Sequence, residues 1–152
     1  MKKSIDEIIK DKTIFLKVVS NNDVRKYGLK ERDYQGQRYS DNTNLMDFYE
    51  ILSITKPDVV SEVYERFLKA GVDIIVTNTA KANRFHLKKK GLDDITYELN
   101  LESTKIARSK VTKYSSIVRD KKRFLGGTMS NLSKEIDFET AEAFYSEQVK
   151  AL

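Results

Sequence analysis

Ala70-Gly71-Val72-Asp73-Ile74-Ile75-Val76-Thr77-Asn78-Thr79 is the stretch whose reading decides the fold. Gly71 suits the position just past a helix end, where the backbone turns left-handed. Ile74, Ile75 and Val76 form a β-branched run, which predicts a strand covered on both faces over 73–77. Thr77, Asn78 and Thr79 then supply two hydroxyls and an amide at the carboxyl end of that strand, where parallel sheets carry their ligands.

Outward from this stretch the pattern alternates. Upstream, Thr55-Lys56-Pro57-Asp58 predicts a helix start with Thr55 as N-cap and an early proline. Val59, Val60, Val63, Tyr64, Phe67 and Leu68 recur at spacings of three and four, an apolar stripe for packing on a sheet. Further back, 46–54 suits a short helix or extended piece, and 27–44 is polar and aromatic without a period, which predicts a long ordered loop turning at Gly28 and Gly36. Ser20-Asn21-Asn22-Asp23 punctuates the chain, 13–19 is an apolar run expected as a strand, and 5–10 could form a short helix.

Downstream, 82–90 predicts a short helix closed by Gly91, and Asp94 is the expected cap of a longer one through Lys113, with Ile95, Leu99 and Ile106 on one face. A charged connector over 113–122 leads to a third strand over 123–129, whose Gly126 and Gly127 allow close approach. Ser130-Asn131-Leu132-Ser133 follows as a loop. The last helix, 138–152, should bury Phe138, Ala141, Phe144, Tyr145 and Val149. Strands separated by helical crossovers require a parallel α/β sheet, and only three strands leave an exposed edge.

The 152 residues are the size of one ordinary domain, and 39% hydrophobic with 34% charged composition excludes disorder. No apolar run approaches membrane-spanning length, and acids interrupt MKKSIDEIIK, so neither a membrane span nor a signal peptide is expected and the predicted compartment is cytoplasmic. Zero cysteines exclude disulfides, thiolate metal sites and cysteine nucleophiles. The net charge of +5 rests on interspersed residues. The clusters 88–90 and 119–123 are better explained as a solvated helix end and loop than as a phosphate-binding patch, so no nucleic-acid partner is expected.

Several motifs in one register resemble the homocysteine S-methyltransferase family, most closely its methionine-synthase branch. Tyr34-Gln35-Gly36-Gln37-Arg38-Tyr39 is similar to the family's loop after its first strand, Lys56-Pro57-Asp58-Val59-Val60 to its helix start, and Ala70-Gly71-Val72-Asp73-Ile74-Ile75 with Thr77-Asn78-Thr79 to its second strand. Ala82-Asn83-Arg84, Gly91-Leu92, Glu98-Leu99-Asn100 and Ala107-Arg108 continue the match, which covers roughly 13–152. The resemblance implies a partial (β/α)8 TIM barrel, about three parallel strands with crossover helices at 14–19, 73–77 and 123–128, as one truncated homocysteine-binding-like domain.

It also implies a methyltransferase active in methionine biosynthesis, in which zinc held by three cysteines activates the homocysteine thiolate toward a cobalamin or other methyl donor. This chain has no cysteine, so no zinc ligand, cofactor or catalytic residue is assigned to it, and the isolated chain is expected to be inactive. His86, beside three lysines, is expected as an ordinary surface or half-buried residue. The family's Asp-Gly-Ala-Met-Gly-Thr segment is replaced here by Lys17-Val18-Val19-Ser20-Asn21-Asn22, and Val76 stands where methionine synthases have Glu.

Thr77, Asn78 and Thr79 either satisfy the backbone at a strand end or line a pocket for homocysteine or a similar small molecule, with Asn78 first. Ser130 and Asn131 would face the same pocket, or cap the following turn. Asp33 and Arg38 could pair locally or order their loop over the barrel mouth. Two functions remain open: part of a homocysteine methyltransferase, or a non-enzymatic α/β remnant that self-associates or meets a complementing chain through its open sheet edge.

Overall fold

The computed structural model describes residues 4–11, 13–118, 121–134 and 136–152. Three short parallel strands, β1 (Leu16–Val18), β2 (Ile74–Val76) and β3 (Phe124–Gly126), form an open sheet in the order β1-β2-β3. Between β1 and β2 lie α2 (Asn21–Arg25), α3 (Glu31–Gln35), a 3-10 turn (Tyr49–Ile51), α4 (Leu52–Thr55) and α5 (Pro57–Lys69). Between β2 and β3 come α6 (Arg84–Lys88), a second 3-10 turn (Asp93–Ile95) and α7 (Thr96–Ile117). Helix α1 (Ile5–Asp11) precedes the sheet and α8 (Phe138–Ala151) follows it. The α/β class and the three parallel strands are as expected.

Register places Leu16, Ile74 and Phe124 side by side, then Lys17, Ile75 and Leu125, then Val18, Val76 and Gly126. Side chains alternate across a strand, so the middle row faces one way and the outer rows the other. Ile75 and Leu125 pack into the core built by Val60, Val63, Tyr64, Phe67 and Leu68 of α5 and Leu99, Ala107 and Val111 of α7. Helix α5 ends as its glycine predicts. Gly71 has φ +98°, its N–H donates to Leu68 O (3.2 Å), and the Val72 N–H donates to Phe67 O (3.2 Å), the paired bonds of a Schellman cap.

Local expectations fail where one side chain or one turn decides the structure. The stretch 27–44 is not a plain loop: it contains α3 and buries Tyr34, and Ser20-Asn21-Asn22-Asp23 opens α2, with Asp23 Oδ2 accepting the Ser20 N–H (3.1 Å). One-turn helices are too short to show a 3.6-residue period. Thr55 is not the cap of α5 but the last residue of α4, its hydroxyl donating to Ile51 O (3.3 Å); Lys56 takes the cap position before Pro57. Asp94 does not cap α7. It lies in the 3-10 turn, and α7 runs on to Ile117, through part of the expected connector.

Helix α8 is rotated from its predicted face. Phe138 is 80% and Val149 54% exposed, Ala141, Phe144 and Tyr145 are half-buried, and the buried residues are Gln148 and Ala151. Gln148 turns inward because buried carbonyls at the sheet need its amide, described below. Of the N-terminal Met1-Lys2-Lys3 and the basic cluster 119–123, residues 1–3 and 119–120 lie outside the described residues. The described rest of that cluster is not simply a solvated loop: Arg123 is buried and Lys121 donates to Gly71 O (2.8 Å), both drawn in by the Asp73 carboxylate. Among the described residues no helix is long and apolar enough to cross a membrane.

Candidate functional site

The carboxyl ends of β2 and β3 are joined by hydroxyls. The Thr128 N–H donates to Thr77 Oγ1 (3.0 Å), the Thr128 hydroxyl to Thr77 O (2.6 Å) and the Thr79 hydroxyl to Thr128 O (2.8 Å). Thr77 and Thr79 hydroxyls lie 2.7 Å apart. Since the Thr79 proton goes to Thr128 O, Thr77 donates in that pair, and both hydroxyl protons are used. Both residues are fully buried.

Two helices close this network from outside. The Gln148 amide of α8 donates to Thr79 O (2.7 Å) and to Asn100 Oδ1 (3.2 Å), while Asn100 Nδ2 on α7 donates to Ala82 O (2.6 Å) and Thr96 O (2.7 Å). Every member is neutral, so the network holds strands, loop and helices together without burying charge.

Asn78 is 2% exposed and points the other way along the loop. Its N–H donates to Ser103 Oγ (3.0 Å) and its Nδ2 to Tyr49 O (2.8 Å), while its Oδ1 has no hydrogen-bond partner among the described residues. Beside Tyr49 lies Glu50, also buried: Oε1 accepts the Lys81 N–H (3.1 Å), and Oε2 is likewise unpartnered. Burial raises the Glu50 carboxyl above its ordinary range, against the lowering effect of its backbone hydrogen bonds. Tyr64 of α5 donates to Val76 O (3.2 Å), and burial pushes its phenol up as well.

Ser130 reaches the same end of the sheet. Its N–H donates to Ala80 O (2.8 Å), its carbonyl accepts the Tyr145 hydroxyl (3.1 Å), and its own Oγ is buried without a partner among the described residues. Asn131, by contrast, is exposed. The structure therefore brings Thr77, Asn78, Thr79 and Ser130 together at one end, with Asn131 outside them. Asp33 and Arg38 do not pair with each other: Asp33 meets Lys56 (3.3 Å) and Arg38 meets Glu98 (2.6 Å), which ties their segment to the starts of α5 and α7.

Glu50, Gln148 and Thr128 were not anticipated. A lone acid inside Phe48-Tyr49-Glu50-Ile51-Leu52, and a glutamine at helical spacing from Phe144 and Tyr145, are the signals that could have found the first two. The donor set does not suit zinc. The chain has no cysteine, His86 Nδ1 lies 2.8 Å from Asn83 Oδ1, and among the described residues no three His, Asp or Glu side chains gather. Burial, followed by Lys89 and Lys81, lowers the His86 pKa. Of the basic cluster 88–90, Lys89 lies over the Phe85 ring and Lys90 donates to Asn44 O (2.7 Å).

The fold has known counterparts. The homocysteine methyltransferase MmuM from Escherichia coli, solved in a metallated form, superposes with a TM-score of 0.75 at 17% identity, over 96% of this chain and 52% of that one. Its oxidized form gives a TM-score of 0.73 at the same 17% identity, over 96% and 51%. The chain thus spans about half the length of these solved structures. The family model described as homocysteine S-methyltransferase matches residues 26–152. The chain belongs to the homocysteine S-methyltransferase family.

Proposed function

We propose that this chain supplies the first β/α units of a homocysteine S-methyltransferase barrel and one wall of the pocket for the amino-acid part of homocysteine. The observation that carries the reading is that two of the buried oxygens without a partner among the described residues, Asn78 Oδ1 and Ser130 Oγ, lie at the carboxyl end of parallel strands in a chain of this family. Asn78 Oδ1 accepts from the ligand's ammonium group; the Ser130 hydroxyl donates to its carboxylate. Thr77 and Thr79 hold the strand ends so that these two groups keep their positions, and Asn131 stands at the pocket's rim.

No residue here is assigned a catalytic step. The family's zinc and its methyl donor, cobalamin or another, belong to the part of the barrel that this chain does not cover, because the described donor set does not fit the metal. The reading places the protein in methionine biosynthesis in the cytoplasm. Alone, the chain binds homocysteine weakly and transfers no methyl group.

Ser130→Ala is the cleanest test, since it removes an oxygen that bonds nothing among the described residues. Calorimetric titration with homocysteine should show binding to the parent chain and a loss of about tenfold in affinity for the variant, the worth of one hydrogen bond, with an unchanged melting temperature. Equal affinity in the two proteins would remove the reading.

A further inference from the structure

Several buried side-chain polar atoms without a partner among the described residues fall on two segments that meet. Glu50 Oε2 and Ser53 Oγ belong to the first 3-10 turn and α4; Asn78 Oδ1 and Asn83 Nδ2 belong to the stretch between β2 and α6. Among the described residues two hydrogen bonds join these segments: Asn78 Nδ2 donates to Tyr49 O (2.8 Å) and the Lys81 N–H to Glu50 Oε1 (3.1 Å). Each unpartnered group has given up its bonds to water, so a seam that holds so many is weakly closed.

Glu50 is the member of the seam that can change state. It is 1% exposed, with one oxygen on the Lys81 N–H and the other on no donor among the described residues. A neutral carboxyl tolerates that surrounding, whereas a carboxylate there is drawn toward water. Burial raises its pKa, and its backbone bonds, then Lys81 and Lys90, lower it. Tyr49 beside it is raised by burial first and by Glu50 second. The Lys90 ammonium is engaged with Asn44 O (2.7 Å), α4 carries no ionisable side chain, and Ser103, the α7 residue bonded to Asn78, is neutral.

We infer that Tyr49 and Glu50 form a proton-operated latch on the loop that carries Asn78. Protonated, Glu50 stays inside, keeps the Lys81 N–H and holds the loop shut over Asn78 Oδ1. Ionised, it swings out to solvent, the bond to Lys81 is lost and the loop parts from the turn. The proton passes to solvent on opening and returns from it on closing, while the hydroxyls of Thr77, Thr79 and Thr128 keep β2 and β3 joined. Asn78 Oδ1 is enclosed in the shut form, so a ligand reaches it through this opening. That the latch gates a pocket rests on the homocysteine reading; that it opens does not.

Amide hydrogen exchange from about pH 5 to pH 8, normalised for the intrinsic rate, reads the latch without any ligand. Above the folded-state pKa of Glu50 the Lys81 amide should lose protection by about tenfold per pH unit, while amides in the middle of α5 and α7 keep theirs. In Glu50→Gln, which retains an acceptor for that amide, Lys81 protection should stay level. Lys81→Gln, at an exposed side chain, removes a cation that favours the carboxylate, so opening should move to higher pH. The contrast between Lys81 and the helices in the parent chain stands whether or not a variant folds.

Lys81 protection that is level in the parent, that falls in step with α5 and α7, or that falls equally in Glu50→Gln overturns the inference. So does opening moved to lower pH by Lys81→Gln. Titration with homocysteine at the same pH values separates the two proposals. With the latch, parent affinity tightens as pH rises, since the ligand binds the opened form, and Glu50→Gln shows no such trend. Opening without homocysteine binding removes the functional reading alone; binding at one affinity throughout, with level Lys81 protection, removes the latch alone.

Discussion

The two ends of β2 solve the same problem with opposite chemistry. At the amino end Asp73 is buried among cations: its Oδ1 lies 3.7 Å from both Lys121 and Arg123, and its Oδ2 accepts the Phe15 N–H (3.1 Å). Arg123 also donates to Gly71 O (3.3 Å) and Leu68 O (3.4 Å), and Lys121 to Gly71 O (2.8 Å), so the same cations close the end of α5. At the carboxyl end the clamp is made of hydroxyls and amides, and Asn78 Oδ1, Ser130 Oγ, Glu50 Oε2 and Gln148 Oε1 are without partners among the described residues, against Arg123 Nε at the ionic end. Charge is spent inward at one end to hold the strands. At the other, neutral bonds hold the strands and several polar atoms are left over, which is the feature the proposed homocysteine pocket draws on.

The sharpest way to break this comparison is at the ionic end. Asp73→Ala leaves Arg123, a 5% exposed guanidinium, without its carboxylate, and should cost about 3–5 kcal/mol in urea unfolding. Homocysteine affinity of the folded fraction should be unchanged. A loss of affinity as large as that of Ser130→Ala would mean that the two ends are not separate devices.

At the neutral end, Gln148→Leu keeps the volume but leaves Thr79 O and Asn100 Oδ1 without their donor. The expected cost is about 1–3 kcal/mol, smaller than for Asp73 because no charge is stranded. Thermal unfolding of the two variants side by side checks the ranking.

The backbone of the ionic end was open to reading from the sequence; its ion cluster, placed in a solvated loop by the charge pattern, and much of the neutral end were not. Gly71, the β-branched run and Pro57 act through backbone rules that need no partner, so the helix stop, β2 and the start of α5 follow from local sequence. The neutral network depends on residues far apart in the chain. Gln148 meets Thr79, and Asn78 meets Tyr49, through contacts that no local period encodes. For the same reason Phe138 and Val149 looked like core positions: an apolar stripe identifies a buried face only when no polar group has a stronger claim on it. Thr77, Asn78, Thr79 and Ser130 were found at one end because strand ends are predictable. Which of their atoms are already engaged was not.

Gly71→Ala should have a smaller effect. At φ +98° a side chain strains the backbone, although the nearest atom to a new Cβ would be the movable Lys121 Nζ at 3.6 Å. The expected loss is about 1–2 kcal/mol, the left-handed penalty for an L-residue, and should appear as a lower urea midpoint with an unchanged slope.

The smallest effects at neutral pH are two carboxylate substitutions whose pH slopes have opposite sign. Glu65 is held down to about 2 by Lys110, Lys69 and Tyr114, which link α5 to α7. A depressed pKa contributes stability that is present above the ordinary carboxyl range and is lost as pH falls toward about 2, so Glu65→Gln should flatten the acid side of the stability profile. Glu50, raised by burial, behaves the other way. Its contribution is complete below the ordinary carboxyl range, where both states are protonated, and is lost as pH rises through its folded-state pKa. Glu50→Gln keeps an acceptor for the Lys81 N–H and removes the ionisation, so stability should cease to fall on the rising side. Urea midpoints measured from about pH 4 to pH 8, across the range in which a raised carboxyl titrates, decide it. A profile for Glu50→Gln that still falls as steeply as the parent's would place the titrating group elsewhere and leave the carboxyl end of β2 as neutral as its hydroxyl network.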